Sequence, residues 1–181
     1  MTKTILFSLL VLASSSIANA QKSKGGILGQ EAPAITADQW VSLPAGAKAP
    51  TPDSLKGKVV YLYCFQSWCP GCHSSGFPTL QKVSTHFKDD KEVKCITIQT
   101  VFEGFSTNTS QKALDMAKKY NLTGIPVGHS GSPQKRSAIM SGFKTRGTPW
   151  TIIIGKDGIV KYNSFHIKPD AAIKLIDTLK K

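Results

Sequence analysis

Val59-Val60-Tyr61-Leu62-Tyr63-Cys64-Phe65, followed by Gln66-Ser67-Trp68-Cys69-Pro70-Gly71-Cys72-His73, is the stretch that decides the architecture of this chain. An unbroken apolar, β-prone run reads as a strand covered on both faces. Two thiols one helical turn apart come straight after it, so the strand delivers a dithiol to the start of a helix. There the free backbone N–H groups and the macrodipole favour an anion, and a thiol so placed ionises more readily than a free one. Cys69 is therefore the candidate nucleophile. Cys72 stands close enough to attack a mixed disulfide at Cys69 and release the product.

Other chemistries use the same letters. Cys-x-x-Cys-His is also the attachment motif of c-type haem. A c-type cytochrome would be mostly helical and would need a distal ligand, whereas here strand signals run on to the end of the chain. A zinc site would need a second ligand pair, and neither another Cys-x-x-Cys nor a His-x-x-x-His is present. His86, His129 and His166 are scattered singly, which leaves a copper carrier with thiol and His ligands as a weak alternative. No metal and no cofactor are expected.

The chain opens with Lys3, the apolar run Ile5 to Ala13, and the small-x-small triplet Ala18-Asn19-Ala20. This is the pattern of a secretory signal peptide over residues 1–20, cut near Ala20, and it implies a periplasmic or extracellular location. The run is short for a membrane span, so no stable membrane insertion is expected. Outside the cytosol an exposed thiol pair drifts to the disulfide, and a reducing role therefore requires a dedicated electron donor, in practice one held in the membrane. Net charge is +12, carried almost entirely by dispersed lysines with only Arg136 and Arg146 as guanidinium groups. That dispersal argues for a solvated basic surface and against nucleic acid as partner.

Residues 21–33 are Lys- and Gly-rich and read as a flexible N-terminus, with one domain over 34–181. Ile35 to Leu43 suggests a short strand, and Leu43 to Lys58, with its prolines and glycines, a loop. After the dithiol, Cys72 to Phe87 reads as a helix kinked by Pro78. Val93 to Thr100 is a second buried strand. Asn108-Thr109-Ser110-Gln111 offers a cap, and Ala113, Leu114, Ala117 and Tyr120 recur at helical spacing. Short strands follow at Ile125 to Gly128 and Trp150 to Ile154, the latter turning through Gly155-Lys156-Asp157-Gly158 into Ile159 to Tyr162. Between them Lys135 to Ser141 suggests a helical turn or two, and Pro169 to Leu179 closes the chain as an amphipathic helix. Strands alternating with helices indicate an α/β fold, a central mixed β-sheet flanked by helices. Cys64 and Cys95, inside the two central strands, read as buried structural thiols.

Taken together, Leu55-Lys56-Gly57-Lys58-Val59-Val60, the Trp68-Cys69-Pro70-Gly71-Cys72 motif, Gly147-Thr148-Pro149 and the Ile152 to Gly158 hairpin resemble the thioredoxin superfamily, in its exported TlpA-like or redoxin branch. The resemblance implies a thioredoxin-like fold with an extra helical insertion after the second central strand. It implies that Pro149 is a cis-proline packed beside the dithiol and that the backbone of Thr148 pairs with an extended client. It also offers Glu103 as an acidic group that moves the proton of Cys72. In function it implies a thiol-disulfide oxidoreductase acting on protein disulfides, more in reduction than in disulfide formation of the DsbA kind. A redoxin-type thiol peroxidase is the competitor, but its Pro-x-x-x-Thr-x-x-Cys signature fits neither cysteine: the matching positions are Leu62 and Gln66 for Cys69, and Phe65 and Cys69 for Cys72. Two departures from thioredoxin stand out: Tyr63 occupies the place of its buried acid, and Pro78 falls one residue late. His73 could add positive charge near Cys69 or simply face solvent.

Overall fold

The computed structural model describes residues 26–181, and the signal peptide expected over 1–20 lies outside them. Strand β2 (Val59–Phe65) is buried along its whole length, and its alternation feeds two separate cores. Tyr61, Tyr63 and Phe65 point to one side, where they meet Phe77, Leu80 and Ile176. Val60, Leu62 and Cys64 point to the other, among Ile96, Ile98, Ile139, Phe143 and Ile152. A strand apolar on both faces can only sit in the middle of a covered sheet.

Around it, β1 (Gln39–Ser42), β3 (Val93–Thr100), β4 (Val127–Ser130), β5 (Trp150–Ile154) and β6 (Val160–Ser164) complete a six-stranded mixed sheet in the order β1-β4-β3-β2-β5-β6. β2 runs parallel to β3, with Val59 opposite Val93 and Phe65 opposite Gln99, and antiparallel to β5, with Cys64 opposite Trp150. This register brings the end of β2, which carries the dithiol, beside the start of β5, which follows Pro149. The insertion between β3 and β4 holds helix α3 (Ser110–Lys119), capped by Thr109 rather than Asn108, and returns as β4 parallel to β3. It thus contributes a strand as well as a helix. α4 (Ala138–Phe143) and α5 (Pro169–Lys180) close opposite faces of the sheet.

Three local readings change. A short helix, α1 (Pro52–Leu55), stands within the stretch read as loop, held by a capping box in which Thr51 and Ser54 bond reciprocally. Residues 26–33 are docked rather than flexible: Ile27 is buried, Gly29 N–H donates to Val160 O, and Gln30 O accepts from Val160 N–H at 2.9 Å. The outer edge of β6 has unpaired backbone groups, and this segment satisfies them. Finally, the helix after the dithiol is two pieces, one π-helical turn over Cys72–Gly76 and then α2 (Phe77–His86). Pro78 is the second residue of α2, and because Gly76 and Phe77 are already helical the chain runs on through the junction, which the π turn marks.

Candidate active site

Cys69 and Cys72 are both free thiols facing one another across the first turn. Cys69 Sγ accepts from the backbone N–H of Cys72 at 3.3 Å, and Cys69 retains a little exposure while Cys72 has none. Cys69 Sγ also lies 3.5 Å from the carbonyl oxygen of Thr148, 79 residues away in sequence. The Thr148-Pro149 peptide bond is cis. Gly71 leaves room beside the proline, since a Cβ there would stand 3.1 Å from Pro149 Cδ, tighter than ordinary contact. Burial pushes the Cys72 thiol up to about 12, with the neighbouring Cys69 sulfur adding to the rise. At neutral pH Cys72 is therefore held protonated.

Tyr63 fills the place where thioredoxins carry a buried acid. Its hydroxyl donates to the carbonyl of Cys72 at 3.4 Å, and its ring packs edge-on against Phe77. The same hydroxyl passes so close to Gly76 that any side chain there would collide with it. Burial raises the Tyr63 phenol well above its ordinary range, so it stays neutral.

The loop ahead of Cys69 is held by residues that sequence reasoning did not single out. Asn108 is buried, and its Oδ1 accepts from Ser67 N–H at 2.8 Å and lies 2.8 Å from the Ser67 hydroxyl. Its Nδ2 reaches the Gln66 side chain and the carbonyls of Glu103 and Gly104 at 3.2–3.3 Å. The Asn108-Thr109 pair was legible as a helix cap, but its second member does the capping and frees the first to brace the dithiol loop. His73 is half-buried, with both ring nitrogens taken up by neighbours other than Cys69. Its Nε2 bonds the Ser67 carbonyl at 2.7 Å, which only accepts, so that nitrogen carries the proton and Nδ1 can receive the Tyr120 hydroxyl at 2.6 Å. Glu103 contributes its backbone carbonyl, while its side chain is exposed beside Trp68 and Thr107 and is not among the groups acting on Cys72. Asn108→Ala should lower stability by about 3 kcal/mol, since it strands several buried polar partners at once. Denaturant titration checks this, and a loss below about 0.5 kcal/mol, the range of an ordinary surface change, would mean the loop stands without it.

Exposed aromatic surface gathers around the dithiol. Trp68, 46% exposed, directly precedes Cys69, and Gly104 packs next to its indole nitrogen. Phe165, 47% exposed, lies against Gly147 and Trp150. Pro70 is also exposed. Cys64 and Cys95 belong elsewhere: Cys64 is buried in the core opposite Tyr63, and Cys95 stands level with Tyr61 at the far end of the sheet. Burial keeps both thiols protonated, Cys95 pushed up to about 12 and Cys64 higher still.

A mixed sheet that ends its central strand in a paired dithiol, set against a cis-proline, defines a thioredoxin-like thiol-disulfide oxidoreductase. The chain belongs to the Redoxin family, whose model matches residues 27–175. Among solved structures it is similar to a thioredoxin-like superfamily protein at 30% identity, with a TM-score of 0.73 over 83% of this chain and 96% of that one. It shares its fold with a thiol-disulfide isomerase from Corynebacterium glutamicum (24% identity, TM-score 0.70, 83% and 97% covered). The same holds for a thiol:disulfide interchange protein from Chlorobium tepidum (17% identity, TM-score 0.61, 86% and 99% covered). No curated protein matched.

Proposed function

We propose that this protein is exported and reduces disulfides in client proteins through a mixed disulfide at Cys69. The observation that carries the reading is the placing of Cys69 Sγ at the surface edge of the dithiol, against the Thr148 carbonyl and flanked by Trp68. An extended client can pair with the backbone of Thr148 while its disulfide meets Cys69. The Cys69 thiolate attacks one client sulfur, forming an intermolecular S–S bond and expelling the other client sulfur as a thiolate, which takes up a proton. Cys72 then loses its proton to solvent and attacks Cys69 Sγ, closing the Cys69–Cys72 disulfide and releasing the second client thiol. The client gains two electrons and the protein is left oxidised, to be reduced again by a dithiol donor held in the membrane. Export rests on the Lys3 to Ala20 pattern.

The direction of transfer rests on the resemblance to TlpA-like proteins. Equilibration of the Cys69/Cys72 pair with glutathione or dithiothreitol, read by alkylation, should give a potential nearer that of thioredoxin, about −270 mV, than that of DsbA, about −120 mV. A value close to −120 mV would reverse the assignment to disulfide formation.

A further inference from the structure

The two arginines of this lysine-rich chain open on one groove. It has a volume of about 530 Å³ and is lined by Arg136 and Arg146 together with Phe102, Phe105, Met140 and Thr145. Among the described residues neither guanidinium group pairs with a carboxylate. Next to Arg136, by contrast, Lys135 is neutralised by Asp38, whose other oxygen accepts from Gly131 N–H at 2.8 Å. The nearby carboxylate is thus committed to Lys135, and Arg136 is left open. Thr145 is only 3% exposed, and its buried hydroxyl has no hydrogen-bond partner. Phe102, 38% exposed, supplies apolar surface beside these polar groups.

Two residues of the groove stand within two positions of residues that touch the dithiol or the adjoining Trp68. Arg146 lies two residues before Thr148, whose carbonyl touches Cys69 Sγ, and Phe102 lies two residues before Gly104, which packs on Trp68. An extended chain advances about 3.3–3.6 Å per residue, so a polypeptide with its cysteine at Cys69 comes to this edge within a few residues.

We propose that the groove is a client subsite for an acidic side chain with an apolar neighbour, two to four residues from the client's reactive cysteine. The proposal rests on the oxidoreductase reading above. A guanidinium fork matches a carboxylate in a way that a lysine point charge does not, and the phenylalanines cover the apolar neighbour.

The test uses two disulfide-linked peptide dimers that differ only in carrying Glu or Gln at the third position on either side of the cysteine. The reduced wild-type protein should reduce the Glu dimer about tenfold faster at low salt, an advantage of the size expected for two partly exposed ion pairs, and should lose most of it at about 0.5 M salt. In R136Q/R146Q the ratio of the two rates should fall to near one. In K56Q/K174Q, which removes the same charge from exposed sites elsewhere, the ratio should persist. Equal rates in the wild type, or a preference that survives R136Q/R146Q, would overturn the subsite. Reduction of neutral hydroxyethyl disulfide separates the two readings: if it proceeds without discrimination between the peptides, only the subsite falls, and if no disulfide is reduced, the oxidoreductase reading falls with it.

Discussion

Cys69→Ser should abolish disulfide exchange, whereas Cys72→Ser should leave a protein that still attacks its client and then stalls, accumulating mixed disulfides visible by mass spectrometry. The asymmetry follows from placement. Cys69 sits at the more exposed edge of the pair, against the Thr148 carbonyl and next to the exposed Trp68, where a client sulfur can reach it. Cys72 is wholly buried with its thiol pushed up to about 12, so almost none of it is ionised at neutral pH. The sign of the pH dependence comes from the same burial. Attack by Cys72 requires its thiolate, so resolution of a preformed mixed disulfide should speed up from neutral to mildly alkaline pH as more of that thiol ionises. Trapped adducts on Cys69→Ser and none on Cys72→Ser would invert the roles.

Gly76→Ala should destabilise the protein by about 3 kcal/mol or more, a large effect for one methyl group. A Cβ at Gly76 would stand 2.1 Å from Tyr63 Oη and 2.6 Å from the ring carbon that bears it. Tyr63 has no room to retreat, because it is fully buried between Phe65 and Phe77. Close-packed interiors do not absorb an overlap of that size without moving backbone. Shortening the opposing side chain should recover part of the loss, so Gly76→Ala should cost less in a Tyr63→Leu background than in the wild type. Chemical denaturation of the four proteins measures the coupling, and a Gly76→Ala protein as stable as the wild type would show that the π turn shifts freely.

Both predictions turn on how β2 and the turn after it are seated, and the sequence settles those two features unequally. An apolar run with no polar alternation specifies a strand covered on both faces at Val59–Phe65, and Val93–Thr100, although it carries Lys94, Thr97 and Gln99, also has the bounds read from its sequence. The Cys-x-x-Cys spacing fixes a dithiol on one turn, because three residues of helix return a side chain to nearly the same face. Trp150–Ile154 and the closing helix at Pro169 likewise carry their own start signals. The π turn was not legible. Nor was the close approach of the Tyr63 phenol to Gly76, thirteen residues away, since helical periodicity does not encode a collision between elements.

By itself, then, the sequence determined the local elements: the central strands, the dithiol at a helix start and the amphipathic helices, all written in spacing and residue type over a few neighbouring positions. Tertiary structure alone decided what surrounds the sulfurs. The sheet register places the Thr148 carbonyl on Cys69. The crossover through α3 carries Asn108 under the Ser67 loop and Tyr120 to His73. The fold also gathers Arg136 and Arg146, which the sequence shows only as isolated cations, on one groove. Contacts of this kind join residues tens of positions apart, and their geometry comes from which strands pair and in what register, which no short window of sequence contains.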